Sequence, residues 1–128
     1  MAKRTAFRAL GHDVKASRQL ETFPTATPNL AVTMRCTEFT CRCPVTGQPD
    51  YAEIDITYLP AARVLESKSL KLYLETFREE GVFHEHLAQT ILADVIAALK
   101  PRRCAVTVHF HSRGGIAISA TASVPSPE

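Results

Sequence analysis

A chain of 128 residues, 45% of them apolar and 22% charged, is long enough for one compact domain and too short for two. A formal net charge of +2 makes no case for a nucleic-acid or membrane partner, and no run of about 18 apolar residues is present to span a bilayer. Four cysteines in an ordinary composition do not read as a disulfide framework, and the basic start (Lys3, Arg4, Arg8) lacks the apolar stretch of a secretory signal, so a reduced, cytoplasmic protein is expected.

In chain order, residues 1 to about 27 are polar with weak periodicity and are expected to form a flexible tail, leaving one domain over 28–124 and a short Pro/Ser-rich tail over 125–128. Leu30 to Phe39 is rich in Val, Thr and Phe, which suits a strand. Cys43-Pro-Val-Thr-Gly-Gln-Pro-Asp50 follows as a loop, because proline and glycine interrupt regular structure there. In Tyr51 to Tyr58, Ala52, Ile54, Ile56 and Tyr58 alternate with Glu53, Asp55 and Thr57, the period of a strand with one wet face. Pro60 ends it.

Leu70, Leu74 and Phe77 recur at helical spacing and predict a helix over Ser69 to Glu79, with Gly81 as its stop. Leu87, Ile91 and Val95, widened by Ala88, Leu92 and Leu99, predict a second helix from about His84 to Lys100, closed by Pro101. Cys104 to His111 and Ile116 to Ala122 are then two strands joined by the tight Ser112-Arg113-Gly114-Gly115 connection. The order strand, strand, helix, helix, strand, strand implies an α+β domain: a four-stranded antiparallel sheet with both helices on one face. Its edges stay open, and subunit pairing is the natural way to cover them.

The chemistry-bearing residues gather in few places. A cysteine is more often core filler than nucleophile, and Cys36, Cys104 and Cys41 take that plain role. Cys43 differs because it sits in a polar loop, where reactive groups on rigid scaffolds are found. Its reference pKa of about 8.5 leaves only a minority as thiolate near neutrality unless the site lowers it. Asp50 alone would be an ordinary turn carboxylate; its closeness to Cys43 makes it a candidate proton donor. His109-Phe-His111 and His84-Glu-His86 raise a metal site, but their spacing matches no strong zinc pattern. Lys68, Lys71, Arg78 and Arg113 are either a solvated basic face or a clamp for phosphates, and no Gly-x-Gly-x-x-Gly is present for a Rossmann site.

Three motifs in order, Cys43-Pro-Val-Thr-Gly-Gln-Pro-Asp50, Glu66-Ser-Lys-Ser-Leu-Lys-Leu-Tyr73 and Phe83-His-Glu85, resemble the 7-cyano-7-deazaguanine reductases. These are the NADPH-dependent nitrile reductases of the queuosine pathway, here of the short single-module type, and the likeness runs from about Glu38 to Gly115. It implies the tunnelling fold, assembled as a homo-oligomer of two stacked pentamers with sites between subunits. It implies Cys43 as nucleophile, forming a thioimide with the nitrile, and Asp50 as proton relay, with His84 assisting. It implies substrate contacts from Leu65, Glu66, Ser67, His84 and Glu85, the last suited to the N–H and NH2 edge of a guanine-like ring. Lys68, Lys71 and Arg113 become candidates for the phosphates of NADPH, two of which are consumed per turnover, and no metal, nucleic acid or membrane is expected. Cys41, two residues before Cys43, is not required by the motif. The competing readings are a zinc-dependent enzyme resembling GTP cyclohydrolase and a purine-binding oligomer without catalysis.

Overall fold

The structure, a computed structural model, describes residues 15–26 and 29–127. Its elements in chain order are β1 (Thr22–Pro24), β2 (Val32–Arg42), β3 (Pro49–Leu59), β4 (Arg63–Leu65), α1 (Ser67–Glu75), α2 (His84–Leu99), β5 (Arg103–Arg113) and β6 (Ile116–Val124). The four long strands form one antiparallel sheet in the order β2-β3-β5-β6, and β1 pairs with β4 in a small separate ribbon. The expected α+β architecture is present, with both helices on one face of the sheet.

Alternation decides which residues build the core. On β3, Ala52, Ile54, Ile56 and Tyr58 are buried, and their cross-strand partners Phe110, Val108, Val106 and Cys104 on β5 are buried with them. Leu87, Ile91, Val95 and Leu99 of α2 and Leu70, Tyr73 and Leu74 of α1 close over this face, so one apolar cluster joins sheet and helices. The opposite face is polar. Arg35 donates to Asp55 at 2.6 Å, and His109 bridges Asp55 at 3.3 Å and Ser119 at 3.0 Å. No helix among the described residues is long and apolar enough to cross a membrane.

Two irregularities break the alternation. On β2 the register shifts between Cys36 and Phe39. Before it Met34 and Cys36 oppose the inward Ile56 and Ile54; after it Phe39 and Cys41 oppose the inward Ala52 and Asp50. An extra residue reverses which parity points inward, so odd-numbered residues face the helices on the approach to Cys43. On β5 a second shift lies between Phe110 and Arg113. In strict alternation Arg113 would share the polar face with His109; the shift turns it toward the covered one.

Boundaries differ from the sequence expectation in several places: β2 runs past Phe39 to Arg42, β5 runs past His111 to take in Ser112 and Arg113, and β4 is an added strand. Residues 22–24, placed in a flexible tail, form β1 against β4, and Arg18 of the same segment lies over the Phe77 ring while bonding Thr76 and Glu80. Residues 1–14 and 27 of that tail lie outside the described residues. The first helix starts at Ser67, where the Glu66 carboxylate caps it, and ends at Glu75. Gly81 is therefore not its stop, and its φ is not left-handed. Asp50, read as the end of a loop, belongs to β3, which begins at Pro49.

Tyr58 ties the sheet to the approach of α1, its hydroxyl oxygen accepting the backbone N–H of Leu65 at 2.9 Å in a buried setting. Tyr58→Phe keeps the packing and orphans that N–H. Its expected cost is about 1–3 kcal/mol, read as a lower urea midpoint with an unchanged slope.

Candidate active site

The end of β2, the loop after it, the start of β3, the start of α2 and the end of β5 converge on one small region. Cys43 follows β2 directly, and its loop closes tightly: the Cys43 N–H donates to the Gln48 carbonyl at 2.8 Å, and the Gly47 N–H returns to the Cys43 carbonyl at 2.9 Å. Gly47 sits at φ 74°, a conformation that a side chain would strain. The Thr46 hydroxyl, then the backbone N–H groups of Thr46 and Val45, hydrogen-bond the sulfur and bring its pKa down to about 7, with Arg113 adding a smaller pull. Donors converging on a partly exposed sulfur favour the thiolate, as reactive cysteines require. Cys41 is the opposite case. Burial, aided by the negative charge of Asp50 across the ladder, pushes its thiol up to about 12, and it stays protonated in the core.

Asp50 is 2% exposed, in phase with the buried row of β3. Arg113 donates to its Oδ1 at 2.7 Å and reaches Gln48 Oε1 at 2.5 Å with the other arm of the guanidinium. Oδ2 has no hydrogen-bond partner. The His84 ring nitrogen Nε2 lies 3.5 Å from it, too long for a firm hydrogen bond. His84 is the first residue of α2, and its ring lies flat on Phe110, with centroids 3.5 Å apart and planes 13° from parallel. A buried carboxylate with one oxygen anchored and the other unsatisfied leaves an acceptor open to whatever enters beside it. Glu85, next along α2, is exposed in its first turn, where the helix dipole favours a carboxylate.

The remaining sequence candidates are not brought to this cluster. Leu65 is a core side chain, 5% exposed. Both oxygens of Glu66 accept backbone N–H groups of its own helix, Ser69 at 2.7 Å and Lys68 at 2.8 Å. Ser67 and Lys71 line a groove of about 420 Å³ along the free edge of β2, with Cys36 to Thr40 opposite them. Glu66 and Lys68 line a smaller groove with Ser17, Gln19 and Glu21. Neither groove includes Cys43, Asp50 or His84. Lys68 and Lys71 form no ion pair among the described residues.

Arg113, a candidate for cofactor phosphates, is engaged with Asp50 and Gln48 instead. His109 is bonded within the polar face and His111 stacks beside Tyr51 at 6.4 Å. No three His, Cys, Asp or Glu side chains among the described residues are grouped to hold a metal ion. Thr46, Gln48 and Phe110 were given no role by the sequence. The first two lie inside the Cys43–Asp50 motif, and Phe110 is in phase with the buried Val106 and Val108.

Comparison with known proteins places this arrangement. A family model described as QueF-like protein matches residues 49–128. An NADPH-dependent 7-cyano-7-deazaguanine reductase of Syntrophus aciditrophicus is 56% identical over 120 residues, spanning 92% of this chain and 86% of its own length. Another protein of that name, from Frankia casuarinae, is 57% identical over 119 residues, 92% of this chain and 95% of its own. Among solved structures, the archaeosine synthase QueF-Like in its apo form superposes with a TM-score of 0.67 at 25% identity, over 77% of this chain and 95% of that one.

The loop donors around Cys43 set a pH dependence. Because its pKa is lowered to about 7, alkylation by iodoacetamide should rise steeply through that pH and fall away below it. Thr46→Val removes the largest contribution and should shift the profile upward toward about 8.5. Mass spectrometry of the alkylated peptide reads both.

Proposed function

The chain belongs to the QueF-like protein family, and from that membership we propose how it works as an NADPH-dependent 7-cyano-7-deazaguanine reductase, converting the nitrile to the aminomethyl group. The observation that carries the assignment of roles is the pairing of a loop thiol of lowered pKa with a buried carboxylate whose Oδ2 is unsatisfied.

Cys43 attacks the nitrile carbon as thiolate, forming a C–S bond as one π bond of the nitrile becomes an N–H. Asp50 supplies that proton from Oδ2, having taken it from the incoming thiol. Arg113 keeps the carboxyl group aimed by holding Oδ1, and His84, fixed on Phe110, walls the far side. The result is a thioimide on Cys43. NADPH, when bound, supplies hydride to carbon, twice per substrate. With the first hydride at carbon and a second proton at nitrogen, the C–S bond breaks as C=N re-forms. Cys43 departs as thiolate, a good leaving group because of the loop donors that lowered its pKa, and the iminium left behind takes the second hydride to become the amine. Glu85 accepts hydrogen bonds from the guanine-like N–H and NH2 edge and sets the orientation of the ring.

Lys68 and Lys71 suit the phosphates, being exposed ammonium groups that form no ion pair among the described residues. Since they and Ser67 line grooves apart from Cys43, the complete site needs a second subunit. A homo-oligomer, two stacked pentamers in the assembly proposed here, joins the free edges of β2 and β6 and covers Ile116, Ile118 and Val124, exposed on β6. Residues 65–67 of one subunit then border the substrate of the next through backbone and Ser67 hydroxyl. The reaction belongs in the cytoplasm, where the thiols stay reduced and the product feeds queuosine modification of tRNA.

Purified, reduced protein given 7-cyano-7-deazaguanine should oxidise two NADPH per substrate, followed by absorbance. Cys43→Ala should abolish turnover. Asp50→Asn, equal in shape but unable to relay the proton, should lower kcat by a factor on the order of 10²–10⁴. Absence of NADPH oxidation by folded wild-type protein would refute the assignment.

A further inference from the structure

Gly81 is exposed and its φ is not left-handed, so nothing in its backbone conformation requires glycine. Its surroundings do. A methyl group built at position 81 would lie 2.9 Å from the Cα and 3.4 Å from the Cβ of Pro44, the residue next to Cys43. The first contact is with backbone and cannot be relieved by a side-chain rotation.

The close approach has a reason. Residues 80–82 dock on the end of β2 as a short parallel bridge: the Arg42 N–H donates to the Glu80 carbonyl at 2.8 Å, and the Val82 N–H donates to the Arg42 carbonyl at 3.1 Å. The Arg42 side chain reinforces it, reaching Glu79 on one side at 3.0 Å and the Gly47 carbonyl of the cysteine loop on the other at 3.0 Å. Two residues beyond this bridge α2 begins with His84 and Glu85.

We infer that Gly81 is a positioning residue for the nucleophile: by admitting Pro44 against its Cα, it locks the Cys43 loop to the strap that carries His84 and Glu85. One backbone contact thereby sets the spacing between the thiol, the His84 ring that faces Asp50, and Glu85, the residue that orients the substrate. The inference rests on Cys43 being the nucleophile, as proposed above. Added bulk at 81 pushes Pro44 outward and loosens the Val45 and Thr46 donors on the sulfur.

The test is the pH profile of Cys43 alkylation, which needs neither substrate nor NADPH and so separates this inference from the assignment of the reaction. In Gly81→Ala the midpoint should move up from about 7 by at least half a pH unit. In turnover the same variant should show kcat lowered about tenfold or more, with the KM for NADPH unchanged. Val82→Ala, on the same strap but leaving Gly81 and Pro44 unchanged, controls for general loosening and should leave the midpoint in place. Should Gly81→Ala not fold, Pro44→Gly relaxes the same contact from the other side and should raise the midpoint likewise. A folded Gly81→Ala, or failing that Pro44→Gly, with the wild-type midpoint would overturn the inference. A midpoint that shifts equally in Val82→Ala would do so too.

Discussion

Asp50 is a carboxylate set into the face of the sheet that the helices cover, and the guanidinium of Arg113 makes that position tenable. A buried carboxylate without partners would be strongly disfavoured as an anion. Arg113 satisfies Oδ1 from the rim of the site while its other arm holds Gln48, the last residue of the cysteine loop. The same side chain thus fixes the acid and one end of the segment that carries the nucleophile. What it leaves unsatisfied, Oδ2, is the atom from which the proposed proton relay would work.

The polar motifs divide between scaffold and reaction, and composition does not announce which is which. Glu66 resembles a substrate anchor as a residue type, yet it closes the N-terminus of α1 by accepting two backbone N–H groups. Arg113 resembles a phosphate ligand, yet it is committed within its own chain. Lys68 and Lys71 remain available, but along grooves that the Cys43 cluster does not share. In the proposed reaction a single chain therefore presents two separated half-sites, on a sheet whose outer strands β2 and β6 each have only one strand neighbour among the described residues. Subunit pairing is a geometric requirement of the proposed reaction, over and above its benefit for burying β6.

Much of the fold was legible because alternation on β3 and β5 and the helical stripe of α2 are regular over whole elements. That Cys43 and Asp50 sit at the two ends of one short loop was legible too, and Arg113 reaches both. The parity reversals were not. Nothing in Thr37 and Glu38 announces the shift on β2 that turns Phe39 and Cys41 inward, and only pairing with β3 reveals it. The same holds for the irregularity that brings Arg113 from the polar face to Asp50. β1 was missed because three residues carry too little pattern, and its support comes from distant partners: β4, and Ser69, whose hydroxyl accepts the Glu21 N–H. Gly81 was read as a helix stop because glycine there is usual. Its true constraint, contact with Pro44, is between residues far apart in sequence.

The account stands or falls on whether the Cys43 thiolate bonds to the nitrile carbon. The most direct measurement is the intact mass of the reduced protein mixed with 7-cyano-7-deazaguanine in the absence of NADPH, followed by peptide mapping. The account predicts a gain of one substrate mass per chain, located on the peptide containing Cys43 and reversed when NADPH is added. Tight binding of the substrate without any covalent gain, by a protein that turns over normally, would contradict it.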